Sequence, residues 1–241
     1  MTSYLFVLAV GLVAGAVSGV IGTGSSLMLL PVLVFAYGPK QAVPIMAVAA
    51  VMANAARVLA WWRLVDWKAV AAYALPGALG AALGARTLLA LRPEVIEAAL
   101  GLFLLAMVPW RRRHTGRGRR LGLHHIALAG ALIGFLTGLV LSTGPLSVPV
   151  FLAYGLSGGA FLSTEAASSL LLYVSKVLTF HQLGALPPST LLQGVIVGSS
   201  LMAGTFVGKA VVLRLRPETL SLLLDALMLA SGLSLLWAAW H

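Results

Sequence analysis

The chain has 241 residues, of which 60% are hydrophobic and only 9% charged, with a mean hydropathy of +1.01. Soluble domains carry about a quarter charged residues, so the composition excludes an ordinary soluble globule and describes a polytopic membrane protein. The formal charge is +10 and no cysteine is present, which excludes disulfides, thiolate metal sites and cysteine nucleophiles. Six of the sixteen cations fall between Arg111 and Arg120, as expected for a cytoplasmic anchor rather than a nucleic-acid surface.

In chain order, Met1-Thr2-Ser3-Tyr4 lacks a basic leader region, so no cleaved signal peptide is expected and the first apolar stretch stays in place. Tyr4 to Tyr37 is an apolar run of 34 residues without charge. As one helix it would be about 50 Å long against a hydrocarbon core of about 30 Å. It must break, and Gly22-Thr23-Gly24-Ser25-Ser26 is where the backbone bends at least cost. A span from Gln41 to Trp62 follows, closed by Trp61, Trp62 and Arg63 as interface anchors. Beyond the short loop Asp66-Trp67-Lys68, a third span runs from Ala69 to Leu91. Its Gly77, Gly80 and Gly84 have the spacing that lets helices approach closely. Leu91-Arg92-Pro93-Glu94 turns into a fourth span ending at Pro109-Trp110, and the basic loop comes next. The pattern then restarts with a second broken segment, Ile126 to Tyr154, whose break is Ser142-Thr143-Gly144-Pro145. Spans from Phe161 to Gly184, Ser189 to Val212 and Thr219 to Trp240 complete it.

The restart is a repeat. Gly11, Gly15 and Gly19 recur 119 positions later as Gly130, Gly134 and Gly138, with Ser18 as Thr137 and Thr23 as Ser142. Leu91 to Glu94 recurs as Leu215 to Glu218, and Gly80 and Gly84 recur as Gly204 and Gly208, at an offset of 124. The expected fold is an all-α polytopic integral membrane protein with two homologous four-segment repeats, about eight hydrophobic segments, each repeat opening with a Gly-broken or re-entrant helix. Residues 1–110 form the first repeat, 111–122 the basic cytoplasmic loop, and 123–241 the second repeat. If the broken segments re-enter, each half crosses three times and the halves are inverted. Arg63, Lys68, the basic loop, Lys209, Arg214 and Arg216 then lie inside, against Lys40, Arg86 and Arg92 outside, eleven cations to three. Parallel halves give eight to six, so inversion is the expectation.

Irregular backbone at membrane depth survives only where protein or a wet cavity covers it, and matched breaks in two repeats point to a transporter's substrate site. Helices restarting at Ser25 and after Gly144 present free N–H groups and a positive dipole end, suited to an oxyanion. Gly22, Thr23, Gly24, Ser25 and Ser26 line one break, and Ser142, Thr143 and Gly144 the other. For either break alone, helix packing explains the glycines equally well. Arg57 and Lys176 are 119 residues apart, at equivalent places on the second span of each repeat, and supply positive charge. Snorkelling to the headgroups is the competing reading for Arg57, six residues before Arg63. Glu165 and Asp225 have no acidic counterparts (Met46 and Gly101), so each is either a proton carrier or a partner to a nearby cation. The adjacent His124 and His125 point to different helix faces and do not converge on one metal. No catalytic or nucleotide-binding motif is visible, so no enzyme, cofactor or metal is expected.

Twin segments of the form G-x-x-x-G-x-x-x-G, each followed by a Gly/Ser-rich break and a proline and each leading a four-segment half, resemble the TauE/SafE sulfite exporter family from Gly11 to the end of the chain. The resemblance implies a bacterial inner-membrane protein that moves sulfite, sulfoacetate or another small sulfur anion. Ser25-Ser26 and Thr143-Gly144-Pro145 depart from the richer glycine runs common in that family. The expected function is therefore secondary transport of a small anion by alternating access, with a lipid bilayer and a small anion as partners and room for a homodimer. The alternative is a non-transporting membrane scaffold or subunit whose glycines serve only assembly.

Overall fold

A computed structural model describes residues 2–21, 25–113, 121–139 and 144–211, together with the single positions 229, 232, 233, 236, 237 and 240. Among the described residues the chain is helical, with no strand. In order the helices are α1 (Thr2–Ile21), α2 (Ser25–Tyr37), α3 (Pro39–Trp61), α4 (Trp67–Ala90), α5 (Pro93–Arg113), α6 (Leu123–Leu139), α7 (Gly144–Tyr154), α8 (Gly158–Gln182) and α9 (Pro188–Val211), with one 3-10 turn at Trp62–Leu64. Among the described residues, three stretches are long and apolar enough to cross a membrane: Gln41–Leu64, Trp67–Ala90 and Pro188–Phe206. The final expected span, Thr219 to Trp240, lies almost wholly outside the described residues.

Local sequence sets the helix ends. Asp66 caps α4: its carboxylate accepts from the N–H groups of Lys68 and Ala69, two donors that the first turn cannot satisfy itself. Leu91 is extended, and Arg92 before Pro93 keeps α4 from running on into α5. At the end of α7, Leu156 N–H bonds to Phe151 C=O and Gly155 N–H to Leu152 C=O, with Gly155 at φ 108°. The end of α8 repeats that double closure with Ala185 to Phe180, Gly184 to His181, and Gly184 at φ 70°. Both are left-handed glycine caps, and both reverse the chain within a few residues.

Among the described residues the buried apolar side chains form two large clusters. Ile45, Met46 and Ala49 of α3 sit in one with Val7, Ala14, Leu29, Leu33, Val197 and Leu201, from α1, α2 and α9. Tyr73 of α4 centres the other with Ile126, Phe151, Phe161 and Leu172, from α6, α7 and α8, its ring 4.9 Å from that of Phe151. Glycines set the closest crossings. A Cβ at Gly130, Gly134 or Gly138 of α6 would collide with the backbone of Tyr73, Gly77 or Ala81 of α4. Gly15 and Gly19 of α1 face the backbone of Leu201 and Thr205 of α9 in the same manner, and Gly11 faces the Ser200 side chain. In each pair the facing residue numbers rise together, so the two helices run in the same direction. Helices α3 and α8 run oppositely, since Arg57 meets Glu165 while Gly159 lies against Trp61.

The distribution of polarity is inverted relative to a soluble protein. Leu75, Leu79 and Leu83 of α4 are 68%, 72% and 58% exposed, and Leu128 and Leu132 of α6 are 64% and 62% exposed. Arg57, Glu165 and Lys176 are 7%, 2% and 0% exposed. An apolar rim around buried charge is stable where the surrounding medium is hydrocarbon.

A buried ion-pair cluster as candidate site

The cluster is built where α3 and α8 cross. Arg57 Nη1 donates to Glu165 Oε2 at 3.0 Å, bridging 108 positions of sequence. Arg57 Nη2 donates to Asn54 Oδ1, one turn back on α3, and Asn54 Nδ2 in turn donates to Ala50 C=O at 2.7 Å. That anchors the guanidinium from below and aims it at α8. The other carboxylate oxygen, Glu165 Oε1, accepts from Ser169 Oγ at 2.8 Å and from Ser147 Oγ at 3.2 Å. Ser147 lies in the first turn of α7 and also approaches Gly144 C=O at 3.0 Å. The carboxylate is thus held by a cation on one side and two hydroxyls on the other. Buried charge persists only when compensated in this way. Beside it, the fully buried Ser168 Oγ has no hydrogen-bond partner among the described residues.

The second buried cation stands elsewhere. Lys176 follows Glu165 by eleven residues, about three turns and about 16 Å along the same face of α8. Its Nζ donates to Thr137 C=O at 2.7 Å and lies 5.6 Å from the centre of the Phe180 ring. Thr137 belongs to the last described turn of α6, so the ammonium lies at that end of the helix and opposes its negative dipole.

Of the expected site residues, the structure brings Arg57 and Glu165 together and places Gly144 one turn from Ser147, which touches Glu165. Arg57 turns inward onto a carboxylate, so the snorkelling alternative fails on its burial. It does not bring Lys176 onto Arg57. Ser25 and Ser26 are buried in the first turn of α2, which begins where the glycine break ends. Gly22, Thr23, Gly24, Ser142, Thr143 and Asp225 lie outside the described residues. Asn54, Ser147 and Ser169 were not singled out from sequence. Asn54 could have been: a carboxamide three residues before an arginine, inside an apolar span, has little other use. The two serines gave no such signal, because their partner lies across helices.

The fold and this cluster together define an all-helical membrane protein with a charged interior. The chain belongs to the sulfite exporter TauE/SafE family, whose model matches residues 7–235. The family is one of transporters. No curated protein and no solved structure matches the chain significantly.

Proposed function

We propose that the protein is a secondary transporter of a small anion, sulfite, sulfoacetate or a related organosulfur anion, working by alternating access as a multi-pass protein of the bacterial inner membrane. The observation that carries this reading is the Arg57 guanidinium, buried within an apolar bundle and paired with a carboxylate that also accepts from Ser147 in the first turn of α7. An arginine in that setting is a fork of donors matched to oxyanions. In this reading Gly22, Thr23, Gly24, Ser25, Ser26, Ser142, Thr143 and Gly144 at the two sequence breaks supply further donors, and Lys176 supplies compensating charge. Glu165 and Asp225 are the carboxylates suited to proton coupling.

Alternating access by inverted repeats is supported by the packing registers. The Gly134–Gly77 contact of α6 on α4 corresponds to the Gly15–Leu201 contact of α1 on α9, through the same offsets of 119 and 124 that relate the sequence halves. Each opening helix therefore packs on the third span of the opposite half. The corresponding helices α3 and α8 run in opposite directions, as inversion requires. Rocking of one half against the other around a midplane site follows from such an arrangement. Counterflow of labelled sulfite, sulfoacetate and thiosulfate into proteoliposomes tests the reading. Saturable exchange of at least one of them is expected, and no exchange of any over empty liposomes rejects it.

A further inference from the structure

The carboxylate of Glu165 has the surroundings expected of a bound oxyanion. A guanidinium meets one oxygen at 3.0 Å, and hydroxyls from the first turn of α7 and from α8 meet the other. Residues that would grip a small anion are already gripping one that belongs to the chain. We infer that the Glu165 carboxylate is a tethered competitor of the transported anion for Arg57, so that the anion binds when Glu165 is protonated and released. The inference rests on the transport reading above and adds to it the device that couples proton to substrate.

The chemistry follows from charge. While Glu165 is ionised, a second anion arriving at Arg57 meets a buried negative charge and finds the guanidinium partly engaged. A proton on Glu165 removes that charge and breaks the ion pair, so that the Arg57 Nη1 group that held the carboxylate can turn to the anion. The coupling is reciprocal: a bound anion favours the protonated carboxyl as much as the proton favours the anion. Proton and anion therefore load together and move in the same direction. The groups that face Glu165 allow this role to be carried by one pair. Arg57 faces it from α3, Tyr73 from α4 lies within electrostatic reach, and Ser147 comes from α7. On α6 the titratable residues are His124 and His125, both at its exposed start. Arg63 in the 3-10 turn is exposed, and Tyr154 at the far end of α7 lies within electrostatic reach of Asp66. Asp66 itself caps α4, its backbone N–H donating to the Thr164 hydroxyl. Lys176 is three turns along α8, on the Thr137 carbonyl.

The test is sulfite binding to the purified full chain across the acid-to-alkaline range, for the wild type and for Glu165→Gln. Sulfite's own titration cancels in the ratio of the two Kd values at each pH. The ratio of wild type to Glu165→Gln is expected to lie near one at the acid end and to rise with pH, approaching about tenfold per pH unit for one proton per anion. Glu165→Asp, which keeps a titratable group, is expected to keep a rising ratio to Glu165→Gln. A flat ratio across the range overturns the competition while leaving the transport reading intact. Should Glu165→Gln not fold, calorimetry on the wild type in two buffers of different ionisation enthalpy decides. Uptake of about one proton per bound anion, beyond that of sulfite itself, is then expected for a one-to-one linkage. No proton uptake overturns the inference. A wild type that binds none of sulfite, sulfoacetate or thiosulfate at any pH rejects the transport reading, and the competition with it.

Discussion

Lys176 Nζ donates to the Thr137 carbonyl at 2.7 Å, which places the second buried cation on the C-terminal turn of α6, about three turns from the first. A hydrogen bond to a charged group contributes about 1.5–3 kcal/mol, and Lys176→Ala removes one. Thermal unfolding in detergent is expected to show a loss of that size. Sulfite affinity is expected to fall by about one to two orders of magnitude if the same ammonium offsets substrate charge. A variant that loses stability but keeps its affinity assigns Lys176 to the helix end alone.

Arg57 and Glu165 are expected to behave as a unit. Removing either partner leaves an uncompensated buried charge, and Arg57→Met or Glu165→Met is expected to cost about 3–5 kcal/mol of stability. The double methionine variant replaces both charges with apolar groups and is expected to lie close to the wild type in stability while losing sulfite binding. A double-mutant cycle measures this directly. Single-variant losses that simply add would show that the two side chains do not depend on each other.

Gly15 and Gly134 are expected to be equally intolerant. Each faces backbone of the partner helix so closely that a Cβ has no room, the Leu201 carbonyl in one case and Gly77 in the other. Gly15→Val and Gly134→Val should each push a helix pair apart, costing at least the roughly 1–3 kcal/mol of an overpacked core. Matching losses of monodisperse yield and melting temperature are the expected outcome. A tolerated valine at one position alone would mean that the two crossings are not equivalent.

Topology gives an independent check. An inverted arrangement of the halves, which the eleven-to-three loop charge bias favours, predicts that both termini lie outside the cytoplasm. A reporter active only in the periplasm, fused after His241, is expected to be active, and one active only in the cytoplasm is expected to be silent. The reverse pattern rejects the inverted arrangement.

The sequence by itself determined the membrane class, the family, and most helix boundaries. These depend on local composition: apolar runs of spanning length, Asp66 before a helix, Pro93 after one, glycines where the chain reverses. It also singled out Arg57 and Glu165, because charge inside an apolar span is costly wherever it points. It left Glu165 either a proton carrier or a partner to some cation, and it paired Arg57 with Lys176 because their offsets match.

Only the tertiary structure decided the partners. Arg57 reaches Glu165 because α3 and α8 run oppositely and cross at that depth, and Lys176 reaches α6 because α6 ends beside α8. Those are consequences of how the helices pack against one another. No residue's own type or spacing encodes which carboxylate or carbonyl a neighbouring helix will bring to it. Repeat symmetry predicts equivalent positions along the chain. The environments differ because Glu165 has only Met46 as its counterpart, so one cation meets a carboxylate and the other closes a helix end.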